Sequence, residues 1–513
     1  MHRLVIALTA LLSLTGAFIV VGYLLLFGAA ADQAARLVPA DAAVYVNVYL
    51  QPSTGQQMNL SSLMGRLPGF GDTAALDEKV DVVMQNLLSG SGLDYRADIK
   101  PWLGDQLAVA GTPDPADPAG GDFLLIAQVR DRPEAEAALA RLAEGATASE
   151  YQGAQLFVGE TGAYTFVDEL LVFASSEGSL QAAIDTHRGA EPALAEEQRF
   201  RSAMERLPAD HLASVYVDFQ RLAAAAGAAG AGTEMTGLST ASLALIAEES
   251  GLRLAGQAPY QADDAAALGT STEAATLTEW MPATTQAEAV IVGLRQAFEA
   301  AEAAAGGSPD AEAITDGLAT LRGMAALGFG LSFDDDLVPL FDGETAVAVR
   351  VGADGVPTGT LLLRPTDAQV AETIFARIRA GLVERDIPVT DAEVDGSTVT
   401  TIAIEQVGEL SYAIDGGVAI LGLQPADVAA AIAVHASGET LTAEAGYEAA
   451  FDLAGGRGGN ELYVDIASLV DGFGAVLDMP DDVRAILAEV DAFALTASVH
   501  DDLIEFNSAL TVE

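Results

Sequence analysis

Beyond its first thirty-odd residues this sequence is written twice, so its fold has to be one that serves both copies. LDYRADIKPWLGDQLAVAG over 93–111 returns as LSFDDDLVPLFDGETAVAV over 331–349. The second copy keeps Asp98 as Asp336, Pro101 as Pro339 and Ala108-Val109 as Ala346-Val347. VYVDFQRL over 215–222 returns as LYVDIASL over 462–469. Order is preserved and only loops differ, the mark of an internal duplication.

Each copy opens on a proline and a β-branched run, from Pro39 and from Pro282. A helical stretch follows, over 76–88 and over 294–305, then the Asp–Pro element and a strand. A second strand leads into a helix, near 133 and near 367, where the apolar period changes from two towards 3.6. Turn residues at Gly153, Asp168-Glu169, Asp395-Gly396 and Asp415-Gly416-Gly417 then mark hairpins. Hairpin-length links favour antiparallel sheets over a doubly wound parallel fold. The predicted class is α+β: an N-terminal transmembrane helix, then two tandem pseudo-equivalent domains with largely antiparallel sheets and packed helices. The expected boundaries are a signal anchor over 1–31, repeat domains over 32–260 and 280–513, and a polar, threonine-rich linker over 261–279. The Ala/Gly-rich stretch over 223–237 reads as a loop.

No residue from Leu4 to Phe27 is charged, and a helix of that length spans a hydrocarbon core of about 30 Å. Arg3 precedes it and Asp32 follows, which favours the amino terminus inside and the body outside. Ala29-Ala30-Ala31 also fits a cleavage site, so a cleaved signal peptide is the competing reading. Either way the expected location is the plasma membrane, single-pass with an extracytoplasmic body, or export if the signal is cut.

The formal net charge is -50, and Lys79 and Lys100 are the only lysines. Such a field repels phosphate backbones, so nucleic acid is not an expected partner. It allows weak divalent-cation binding and fits a solvated acidic surface, whether or not that surface is adapted to salt. With no cysteine, disulfides, thiolate nucleophiles and iron–sulfur clusters are excluded.

The residues that invite a chemical reading each have a structural one. Asp334-Asp335-Asp336 suggests a hard-cation site, but Asp98 stands beside Arg96 and Ala97, so the triple acid is not shared. The shared element, Asp-apolar-x-Pro, reads as an N-cap aspartate opening a short helical turn. His187 and His435 occupy equivalent helix ends and read as C-terminal caps. Tyr216 with Asp218, and Tyr463 with Asp465, share a strand face by period two and read as core tyrosine and helix cap. The Gly455-Gly456-Arg457-Gly458-Gly459 run precedes a strand, the wrong order for a phosphate cradle, and reads as a loop. No catalytic, cofactor-binding or metal-ligating residue is assigned, and no cofactor is expected.

Pro39-Ala40-Asp41 before a β-branched strand, Asp98 followed by Pro101-Trp102-Leu103-Gly104, and the Tyr-Val-Asp strand together resemble the bacterial domain-of-unknown-function family 3352. The second copy departs from the pattern at Leu340-Phe341-Asp342. The resemblance implies an anchored or exported bacterial protein and brings no activity or catalytic residue. The expected function is a non-enzymatic binding or structural envelope protein, with an envelope protein or an apolar ligand as partner. A carrier or sensor of an apolar ligand such as a lipid is the alternative, and a carboxylate-only hydrolase the third reading.

Overall fold

A computed structural model of the chain describes residues 32–66, 81, 85, 94–114, 117–142, 145–159, 162–228, 239–260, 274–296, 299, 319–320, 322–323, 331–352, 356–404, 408–473, 484, 487–500 and 502–512. They form two compact units, one on each side of Tyr260 and Gln261.

The first unit carries β1 (Val44–Tyr49), β2 (Leu103–Asp114), β3 (Asp117–Val129), β4 (Thr147–Tyr151) and β5 (Ala154–Val158). It continues with β6 (Ala163–Val167), β7 (Leu170–Ala174), β8 (Ala213–Asp218), β9 (Thr240–Glu248) and β10 (Gly251–Pro259). These pair in the order β4-β5-β6-β7-β3-β2-β1-β8-β9-β10, every pair antiparallel. Its main described helices are α1 (Thr54–Arg66), α2 (Arg132–Leu142), α3 (Glu177–His187), α4 (Gln198–Glu205) and α5 (Phe219–Ala228).

The second unit repeats the plan. Its strands are β11 (Ala287–Val292), β12 (Glu344–Val351), β13 (Pro357–Arg364), β14 (Val389–Val394) and β15 (Ser397–Ile404). Then come β16 (Gly408–Asp415), β17 (Val418–Gly422), β18 (Asn460–Asp465), β19 (Val490–His500) and β20 (Leu503–Val512). The order is β14-β15-β16-β17-β13-β12-β11-β18-β19-β20, again antiparallel throughout. Its described helices are α6 (Ala368–Glu384), α7 (Pro425–Ser437), α8 (Ala445–Ala454) and α9 (Ile466–Phe473).

Hairpin chemistry sets this topology. Gln152 and Gly153 both take positive φ (49° and 80°), as do Asp395 and Gly396 (48° and 91°). Two successive left-handed residues twist the chain in the sense that matches right-twisted strands. Alternation then sorts the faces. Ala108, Ala110, Leu124 and Ile126 point into the first core with Tyr45, Leu180, Ile184, Phe200 and Tyr216. Ala346, Ala348 and Leu362 point into the second, with Trp280, Ile432, Tyr447, Phe451 and Tyr463. Each such large side chain contributes about 1.5–3 kcal/mol through burial. The helices α3 and α4 pack on this face in the first unit, and α7 and α8 in the second.

The expected fold class needs correcting at the amino terminus. It included a transmembrane helix, yet among the described residues no helix is long and apolar enough to cross a membrane. The longest described helix, α6, has 17 residues. It carries Glu372, Arg377, Arg379 and Glu384, and it lays Ala371, Ile374, Phe375 and Leu382 on the second unit. Those charges suit a helix half in water, not one in lipid. Residues 4–27, where the segment was expected, lie outside the described residues, as do most of 76–88 and 294–305. A smaller correction concerns 223–237. Its first residues continue α5 to Ala228, because alanine is a strong helix former when a neighbouring sheet takes one face.

Candidate functional site

Each unit places its least ordinary chemistry at the equivalent spot of its own fold, the pair formed by its first and eighth strands under α4 or α8. In the first unit Tyr45 of β1 faces Tyr216 of β8, and Asn47 faces Ser214. In the second, Glu288 of β11 faces Tyr463 of β18, and Val290 faces Glu461. Glu288 therefore stands where the first unit has Tyr45, and Glu461 where it has Ser214. Above them α8 presents Tyr447 where α4 presents Phe200; each follows a glutamate N-cap, Glu444 or Glu197.

Glu288 and Glu461 are 2% and 3% exposed. Period two puts both on the core face of neighbouring strands. Glu461 is well served. Its Oε2 accepts from Arg457 Nη2 at 2.8 Å, Arg457 Nε at 3.2 Å and the Tyr447 hydroxyl at 3.2 Å. Its Oε1 accepts from the Gly458 amide at 3.1 Å. Arg457 also donates to the Ala275 carbonyl at 2.8 Å and Thr278 Oγ1 at 2.6 Å, tying the segment before β11 to β18. Glu288 is far less well served: neither oxygen has a partner at hydrogen-bonding geometry, and only the nearness of the Tyr447 hydroxyl and the charge of Arg457 pull its carboxyl down. Burial and the charge of Glu461 together push its carboxyl up to about 8. Burial also raises Glu461, with Arg457 pulling the other way. Tyr447 is held well above the ordinary tyrosine range by burial and by the two carboxylates.

The first unit meets the same spot with neutral groups and one aspartate. Asp32 Oδ1 accepts from the Tyr45 hydroxyl at 2.7 Å, Gln106 Nε2 at 2.7 Å and the Ala35 amide at 3.2 Å. Gln106 Nε2 also reaches Asn47 Oδ1 at 2.7 Å. Gln106 Oε1 accepts from the Gln33 amide at 3.1 Å. Glu344, at the equivalent place on β12, accepts from the Thr276 and Leu277 amides, each at 3.0 Å. Both units thus clip the segment entering their first strand with one side chain of the second.

The residues singled out in the sequence are structural where the structure places them. Asp98 and Asp336 are not N-caps, which corrects that expectation. The caps are Asp94 and Ser332, each opening a wide turn. Asp98 and Asp336 reach back from inside those turns to the cap amides, at 3.0 and 2.8 Å. Each then pairs with an arginine of the helix after the third strand, Arg141 at 3.0 Å and Arg377 at 2.5 Å. Asp334 instead pairs with Arg322, and Asp335 accepts from the Ser332 hydroxyl. The three neighbouring acids are therefore engaged separately. Among the described residues no group of three metal-ligating side chains occurs. His187 ends α3 and lies 3.3 Å from Asp168. His435 stacks on Trp280, ring centres 3.7 Å apart. Asp218 and Asp465 cap α5 and α9 through the amides of Arg221 and Ser468. Asp218 is fully buried and also holds Arg199 and Arg221.

Sequence reasoning passed over Glu288, Glu461 and Arg457. The glycine run is a loop between α8 and β18, as expected, but its arginine is the counter-ion of the buried pair. The available signal was the duplication itself: aligning the first strands sets a glutamate against Tyr45.

The family model described as a protein of unknown function, DUF3352, matches residues 4–511. The chain belongs to the DUF3352 family. The resemblance read from its motifs is therefore correct, and it covers nearly the whole chain. No curated protein matches it. Among solved structures, crystal form III of TP0453 is 11% identical over 46% of this DUF3352 chain and 82% of that chain, at a TM-score of 0.26. Crystal form IV of TP0453 gives 10% identity over 44% and 80%, at 0.25. Likenesses this weak bear on neither fold nor function.

Proposed function

We propose that this chain is a non-enzymatic binding or structural protein of the bacterial envelope, with its body outside the cytoplasm. The observation that carries the reading is an apolar surface on strands whose other face is core. Val109 on β2 pairs with Leu125 on β3, beside Gly111 and Phe123. Val109, Phe123 and Leu125 are 42%, 39% and 38% exposed, and Val347, at the place of Val109 in the second unit, is 43% exposed. Clustered exposed apolar side chains on a sheet favour contact with a partner. Export is supported by the uncharged run over 4–27 between Arg3 and Asp32.

The buried carboxylates give the hydrolase reading little support. A glycosidase pair flanks its scissile bond in a cleft. Here Glu288 and Glu461 lie inside the core, and Glu461 is already held by Arg457, Tyr447 and Gly458. The apolar-ligand reading stays as the alternative, favoured by the same exposed side chains.

Photo-crosslinking from positions 125 and 347 in intact cells tests the proposal. A discrete envelope-protein adduct supports it. A stoichiometric lipid or other apolar molecule recovered with the protein, and no adduct, replaces it with the carrier reading. A body protected from protease added to spheroplasts overturns the location.

A further inference from the structure

Two carboxylates share one guanidinium inside the second core. Glu461 takes nearly everything Arg457 and Tyr447 offer, and Glu288 keeps both oxygens unpartnered at 2% exposure. An isolated buried carboxylate costs several kcal/mol to desolvate, so the group is expected to neutralise itself by taking a proton. The surroundings offset this only in part: the Tyr447 hydroxyl and the charge of Arg457 pull the carboxyl down by less than burial and Glu461 push it up. On β18 Glu288 faces Tyr463 and, diagonally, Glu461; from α8 comes Tyr447, and from the loop before β18 comes Arg457. On its other side β12 sets Ala348 opposite Glu288 and Ala346 opposite Val290, both buried and neither titratable. Glu444, Asp465 and Asp491 crowd Tyr463 with further negative charge. The second, independent observation is the first unit. The same two strand positions there are Tyr45 and Ser214, so the fold does not require acids at this place.

We infer that the second unit holds a buried proton-binding site, the Glu288–Glu461 pair, which keeps one proton on Glu288 at neutral pH and makes this unit, and not the first, lose stability as pH rises from mildly acidic to mildly alkaline. This goes beyond the binding role proposed above and does not depend on it. The sign follows from linkage. The Glu288 carboxyl lies above its ordinary 4.5, at about 8, so the folded unit binds more protons than the unfolded chain between those values. Its contribution is fully present below 4.5 and is lost as pH rises through about 8. Across that window the unfolding equilibrium constant of the second unit rises by about a thousandfold.

The test is infrared spectroscopy of the full chain, titrated from about pH 6.5 to about pH 10, where exposed carboxyls stay ionised. The expected result is a protonated-carboxyl carbonyl band that disappears as pH rises and is missing from Glu288→Gln. In parallel, unfolding followed by Trp280 fluorescence in a Trp102→Phe background should become easier by about thirtyfold in its equilibrium constant from about pH 6.5 to about pH 9 for the parent, and not for Glu288→Gln. If Glu288→Gln does not fold, Glu461→Gln serves instead. Arg457 then faces Glu288 alone, and the band should vanish at lower pH. No acid band at pH 6.5, or a band that survives Glu288→Gln, overturns the inference. A cation held by both carboxylates would leave no band and overturns it equally.

Discussion

The two units share a strand order but not an interior, and the contrast separates what this fold needs from what it tolerates. What recurs is fastening. Asp98 and Asp336 make the same reach to a cap amide and the same pairing with an arginine. Gln106 and Glu344 clip the same entering segment. Other contacts survive with their partners exchanged. The first unit joins Ser179 of α3 to Asp122 of β3; the second joins Asp427 of α7 to Thr358 of β13, hydroxyl and carboxylate having traded places. Gly111 beside Phe123 becomes Val349 beside Gly359 in the same way. A Cβ at Gly359 would meet the Ala348 carbonyl oxygen at 2.1 Å, and one at Gly111 the Asp122 carbonyl oxygen at 2.2 Å, so at each glycine the neighbouring backbone passes too close for a side chain. Hydrogen bonding and close backbone approach are kept, while the identity of each member is not.

The two tryptophans, Trp102 and Trp280, lie one in each unit, so single-tryptophan variants let each unit report its own unfolding. The largest difference between units should come from Arg457→Met, which leaves Glu461 buried without its cation. We expect a loss of about 3–5 kcal/mol confined to the Trp280 signal. A loss shared with the Trp102 signal would break the separation of the two interiors. Next is the cap pair. Asp218→Ala removes a cap and the acid that holds two arginines, and should cost about 2–3 kcal/mol. Asp465→Ala removes little beyond a cap and should cost about 1 kcal/mol by chemical denaturation. Equal losses would show that the arginines add nothing. Asp98→Asn and Asp336→Asn should each cost about 1 kcal/mol, because their arginines are half in water. Here the two units should agree, and a clear difference would mean that the shared fastening is not equivalent.

The smallest effect expected is in acid. Burial lowers His211, whose Nδ1 lies 2.7 Å from the Pro208 carbonyl. Its folded pKa lies below the unfolded value, so its contribution is present at neutral pH and falls as pH drops below 6.5. The Trp102 signal should show that acid-side loss, and His211→Asn should reduce it. Through Glu288 the second unit should instead weaken as pH rises towards about 8. The same acid-side loss in both units would remove the distinction.

Much of the fold was legible in the sequence because its signals are local. Hairpins showed at Gly153 and at Asp395-Gly396, where positive φ is needed and the residues that tolerate it stand in the sequence. The helix caps Asp218 and Asp465 showed through their place at the end of matched runs. The Asp98 element was visible as a motif but misread, because its cap lies four residues earlier and its ion pair 43 residues later. The candidate site left one faint mark, the glutamate that the duplication sets against Tyr45. In the β11 run Glu288 alternates with alanines, and either face could have been the buried one.

By itself, then, the sequence determined that the chain is a duplication, that its strands join by tight turns, and which family it belongs to. Each of these rests on residues close together or on a repeated order. Which strands neighbour each other, that Arg457 answers Glu461, and that Glu288 is left without a partner were decided only in the tertiary structure. Burial and pairing depend on which distant segments meet, and a charge costs little until the sheet and α8 remove its water.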